Sequence, residues 1–136
     1  MSETKFGRTL SMFLHLSQLL SIVLISLLIE KFFIKVETFF IAPAFTGVII
    51  PFILWKFNNK NKFIDENGKI VFNWTMTVFF LSIISIPLLL VHVGMYIWIL
   101  FYLFTFIFSI IGAYKAYCGV VWEYPFSYQF FHINKN

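Results

Sequence analysis

The residues best equipped for chemistry lie in one stretch, Phe63-Ile64-Asp65-Glu66-Asn67-Gly68-Lys69-Ile70-Val71-Phe72-Asn73-Trp74. It is the longest polar interruption in an otherwise apolar chain, and it leads straight into an apolar segment from Ile70 to Val91. Asp65 is of a type that caps helices, and Glu66 in the following turn suits the positive end of the helix dipole. On that helix Glu66, Lys69, Asn73 and Thr77 fall on one narrow face, at steps of three and four. An acid, a base and an amide would then enter the edge of a bilayer together. With four membrane spans, His15, Asp65, Glu66, Lys69, Asn73, Lys115 and Tyr124 would share one membrane face and could form a single polar cluster. Ionisable groups at membrane depth are costly and by default mark a functional site. A plainer use has Asp65 and Glu66 capping the helix while Lys69 and Lys115 reach out to lipid headgroups.

Catalytic chemistry has little support. The chain has no H-E-x-x-H, no phosphate-cradling glycine-rich loop and no serine in an elbow motif. Asp65 and Glu66 are adjacent, so on a helix they point about 100° apart and cannot together flank one bond. Cys118 is the sole cysteine, which excludes an intrachain disulfide and a cysteine cluster for zinc or iron–sulfur ligation. Near Lys115 it could be a reactive thiol, but a small hydrophobe at a helix end is the commoner case. His15 could switch protonation or ligate haem, but His92 falls at the opposite membrane face and His132 in the tail. The reading is therefore no cofactor, no metal and no enzyme.

The elements that must position these residues follow from composition. Of 136 residues, 60% are hydrophobic and only 12% charged, with a formal net charge of +4. The basic residues sit at segment ends rather than on one soluble face, which argues against nucleic acid as a partner. Apolar runs of membrane-spanning length recur, predicting an all-α, four-helix integral membrane bundle in one domain over 1–136. The expected spans are 10–29, 38–55, 70–91 and 95–117, with a loop over 56–69 and a tail over 118–136. The first follows a short basic flank, Lys5 and Arg8, without a small-residue cleavage pattern, and reads as a retained span. Its Ser11, His15, Gln18 and Ser26 share one side of a helix, a stripe that in lipid turns inward. In the second, Pro43, Gly47 and Pro51 recur every four residues, so the helix should be kinked or broken there, and these residues are candidates to line a path. On the fourth, Tyr102, Thr105, Ser109, Gly112 and Ala116 share a face whose small residues permit close helix approach. The tail, with Trp122, Tyr124, Pro125, Phe126 and Tyr128, should lie along the membrane interface.

With four spans both termini lie on one side. Lys5, Arg8, Lys56, Lys60, Lys62, Lys69, Lys115 and Lys135 fall there, against Lys31 and Lys35 on the other. The positive-inside rule makes the richer side cytoplasmic.

Several short motifs occur in a suggestive order: His15-Leu16-Ser17, then Pro51 to Lys56, then Asp65-Glu66-Asn67-Gly68-Lys69 with Asn73, then Gly119 with Tyr124-Pro125. Over about His15 to Phe126 the chain resembles the bacterial four-span domain of unknown function grouped with the Tic-twenty-like chloroplast import proteins. The resemblance implies an α-helical protein of the bacterial cytoplasmic membrane with both ends cytoplasmic, and it implies no activity. Trp74 and Thr75 depart from the usual Phe-Gln of that family, and Val120 stands where an acidic residue often follows the glycine.

These features favour a non-enzymatic structural or accessory subunit that works by helix association, with the lipid bilayer, other membrane proteins or a second copy as partners. A transporter or translocon-like conduit, as the plant relatives suggest, is the alternative and would need oligomers. A haem-binding or enzymatic membrane protein is the third class.

Overall fold

A computed structural model describes residues 4–32, 47–91 and 93–134. Among them are four α-helices and no strand: α1 (Lys5–Phe32), α2 (Ile49–Asn58), α3 (Lys62–Ser85) and α4 (Val93–Tyr117). A 3-10 segment, Ile86–Val91, joins α3 to α4 and contains Pro87, whose missing N–H suits a segment that ends an α-helix. The all-α expectation holds. Two stretches, Lys62–Leu88 and Val93–Tyr117, are long and apolar enough to cross a membrane. At 10 residues α2 is about 15 Å long, half the hydrocarbon thickness.

α3 begins earlier than its apolar run. Its cap is Asn61, not Asp65: the Asn61 Oδ1 accepts from Phe63 N at 3.0 Å and from Ile64 N at 3.3 Å. Asn61 has the extended backbone a cap requires, whereas Asp65 is already inside the first turn. The expected loop over 56–69 therefore shrinks to the link Asn59-Lys60-Asn61 between α2 and α3. Pro51 is buried in the first turn of α2, where its missing N–H costs no intrahelical bond. Pro43 and His92 lie outside the described residues.

α1 is central, packing most extensively on α4 and then on α3 and α2, while α3 and α4 touch each other little. The inward stripes meet here. Ser11, His15 and Gln18 of α1 are buried, as are Thr105, Ser109, Gly112 and Ala116 of α4. A Cβ built on Gly112 would lie 2.6 Å from His15 Nδ1, so the bare glycine is what lets the imidazole sit against α4. The side chain of Ser26 is outside the described set.

The space between α3 and α4 is filled by the tail. Ile70, Trp74 and Val78 of α3, Phe108 of α4, and Tyr124 and Ile133 of the tail form one buried cluster. The chain turns into this position through a Schellman motif. Gly119 has φ +81°, its N–H donates to Ala116 O at 3.0 Å, and Val120 N donates to Lys115 O at 2.9 Å. Arg8 closes the turn from outside, its guanidinium lying against the bare face of Gly119.

Candidate functional site

The predicted cluster divides into two sites, with one member in neither. The first is a buried chain of hydrogen bonds around His15. Nε2 of His15 lies 2.9 Å from Asn67 Oδ1, and Nδ1 lies 2.7 Å from the Tyr124 hydroxyl. Gln18 Nε2 donates to the same hydroxyl at 2.7 Å, and Asn67 Nδ2 donates to Phe63 O at 2.8 Å.

Donor counting fixes the tautomer. Asn67 Oδ1 can only accept, so His15 Nε2 carries a proton. In the neutral imidazole Nδ1 is then the acceptor, and the Tyr124 hydroxyl, which accepts from Gln18, donates to it. The chain then runs Gln18 to Tyr124 to His15 to Asn67 to Phe63 O, with a neutral imidazole. Burial pushes the Tyr124 phenol well above its ordinary pKa, so it keeps the proton it donates. With both ring nitrogens engaged, His15 offers no lone pair to a metal. Among the described residues no group of three or more His, Cys, Asp or Glu converges on a metal-sized site.

The second site is the polar stripe of α3, and what it holds is the protein's own tail. Asn73 pairs with the backbone of Phe131 at both ends of its amide: Nδ2 donates to Phe131 O at 2.8 Å, and Oδ1 accepts from Phe131 N at 2.8 Å. One helical turn on, Thr77 Oγ1 accepts from Tyr128 N at 2.9 Å. Two turns back, Glu66 Oε2 accepts from Asn134 N at 2.9 Å. The other oxygen of Glu66 faces Lys69 at 3.0 Å, and Lys69 also pairs with Asp65 at 2.7 Å. Asp65 in turn accepts from the Trp55 indole at 2.9 Å, tying α2 to α3. Lys69 thus pairs with both neighbouring carboxylates.

The face that periodicity picked out on α3 was therefore the right one. Its occupant was not legible: the tail runs beside α3 from Thr77 back towards Glu66. Asn67, the partner of His15, and Gln18, the partner of Tyr124, were missed, although Gln18 stands one turn from His15 on the recognised stripe. Lys115 is half-buried near the end of α4 and joins neither network. Gly47 lines a cavity of about 20 Å³ with Gln18, Trp74 and Tyr102, room for about one water.

Replacing Asn73 by leucine keeps the volume and removes both bonds to Phe131. With net bonds of about 1 kcal/mol each, and the peptide groups left unpaired, limited proteolysis should cut the tail at least about 10-fold faster than in the parent. An unchanged cleavage rate would show that the aromatic packing holds the tail by itself.

The fold and its two sites define a small helical protein with, among the described residues, two helices long and apolar enough to cross a membrane, closed by an irregular C-terminal strap. The chain belongs to the magnetosome magnetite crystal formation protein family, the MamF/MmsF family, whose model matches residues 7–131. This corrects the resemblance to the Tic-twenty-like import proteins, whose motifs are short and, in this fold, serve local packing. No curated protein and no solved structure matches the chain significantly.

Proposed function

We propose that the chain is a four-span membrane protein with cytoplasmic termini that serves, without enzymatic chemistry, as a structural component of a membrane where magnetite crystals form. One observation carries the non-enzymatic part: apart from Lys115, the polar side chains of the candidate cluster are spent on one another, on Trp55, Gln18 and Asn67, or on the tail backbone. His15, Asn67 and Tyr124 close a hydrogen-bonded chain, and Glu66, Asn73 and Thr77 fasten the strap. The family description supplies the mineral context. The membrane reading rests on the two long apolar helices and on the clustering of lysine and arginine at one set of helix ends.

The test is deletion of the coding sequence in its host, with electron microscopy of the crystals and fractionation of a tagged copy. Altered crystal size or shape, with the tagged copy in the crystal-bearing membrane, is the expected result. Normal crystals, a host that forms none, or a tagged copy elsewhere would overturn the mineral role.

A further inference from the structure

We infer that the turn and irregular segment of the tail from Pro125 to Phe131 form an aromatic surface that inserts into the lipid leaflet at which α3 begins, with acyl chains as its partner. The inference rests on the membrane reading above and goes beyond it, because it assigns lipid contact to a non-helical segment.

The first observation is Phe126. Ser127 N donates to Tyr124 O at 3.3 Å across Pro125 and Phe126, and Phe126 has φ +65°. This is a type II turn, with proline at its second position and a left-handed residue at its third, where glycine or asparagine is the usual choice. A side chain there costs about 1–2 kcal/mol. Phe126 nevertheless stands at that point with 83% of its surface exposed. In water a ring this exposed would gain little to offset its backbone cost, whereas in hydrocarbon it gains the transfer free energy of an aromatic side chain.

Depth is the second observation. Tyr128 is held at Thr77, seven residues and about 10 Å along the helix from Ile70, where the apolar run of α3 starts. That is the depth at which interfacial aromatic segments bury their apolar faces.

Continuity is the third. Phe130 is stacked on the exposed Phe80 of α3, with centroids 5.5 Å apart, and Tyr128 packs on Phe130 at 4.9 Å. Phe126 faces Phe104 of α4 at 6.4 Å. The exposed rings of the tail thus extend the outer apolar faces of the two membrane-length helices. From Tyr124 to Asn134 the chain carries no Asp, Glu, Lys or Arg. Backbone donors at Tyr128 and Phe131 are taken up by α3, which lowers the cost of leaving water.

The test uses the full chain reconstituted in phosphatidylcholine vesicles, with the exposed Cys118 replaced by serine. An environment-sensitive fluorophore is attached at F126C, at I84C on the outer face of α3, or at K60C in the link. Quenching by nitroxide-labelled acyl chains is compared with quenching by aqueous iodide. The expected result is stronger nitroxide than iodide quenching at positions 126 and 84, and the reverse at 60. Iodide quenching at 126, or protection from both quenchers there, with 84 still in lipid, overturns the inference and points to water or a protein partner. If 84 is also quenched by iodide, the membrane reading itself fails. Should a cysteine variant misfold, a photoreactive phosphatidylcholine applied to the unaltered chain must crosslink within 126–131, and absence of such crosslinks likewise overturns the inference.

Discussion

Replacing Tyr124 by alanine is expected to cost about 3–5 kcal/mol, the range for truncating a buried aromatic side chain. The residue is 3% exposed and packs on Trp74, Phe108 and Trp122, with centroids 5.6–6.0 Å away. The loss has two parts that can be separated. Tyr124→Phe keeps the ring and removes only the hydroxyl, leaving His15 Nδ1 and the Gln18 amide without their partner, at about 1–3 kcal/mol. Unfolding in mild detergent, followed by tryptophan fluorescence, should therefore rank parent above Tyr124→Phe above Tyr124→Ala. Equal losses for the two variants would mean that the hydrogen-bonded chain, and not the packing, dominates. No loss in either would show that the tail is dispensable to the helical body.

The second large effect is expected at Gly112. Alanine in place of an exposed mid-helix glycine stabilises by about 1 kcal/mol through propensity alone. Here the new methyl would meet His15 Nδ1 at 2.6 Å and Tyr124 Cε1 at 2.8 Å. Neither ring can retreat cheaply, because both belong to the buried chain that also engages Asn67 and Gln18. Overpacking of that kind costs about 1–3 kcal/mol, so the net change should be destabilising. A Gly112→Ala variant that unfolds at higher temperature than the parent would show that α1 and α4 part without cost. Gly68 is a parallel case in α3, where the methyl would collide with the Trp55 indole.

Helix identity was legible because lipid-length apolar runs and inward stripes leave a periodic trace. Counting alone placed Ser109, Gly112 and Ala116 on one face of their helix and Ser11, His15 and Gln18 on one face of theirs; that the two faces meet is shown by the fold. The cap of α3 was not. Asn61 and Asp65 are both good capping types, and only the placement of Asn61 Oδ1 within reach of two free N–H groups decides between them. The path of the tail along α3 left no trace, since an irregular segment held by backbone-to-side-chain bonds has no period. Its position depends on residues about 50 to 70 places away, Thr77, Asn73 and Glu66. The family assignment failed for a related reason. Gly68 admits an indole, Gly119 ends a helix and Asn73 grips a peptide group, and each is a task that many small helical proteins need done.

That grip on the peptide group has an evolutionary consequence. Asn73, Thr77 and Glu66 bond to main-chain atoms of the tail, not to its side chains. The fastening is therefore indifferent to which rings stand at 126, 128 and 130. Substitutions at those three places can retune what the protein presents to its surroundings while the main-chain bonds stay in place, whereas a change at Asn73 would loosen the segment that carries all three rings. Anchor and display are separately adjustable, so the scaffold could be fitted to differing membranes by altering a handful of outward-facing residues.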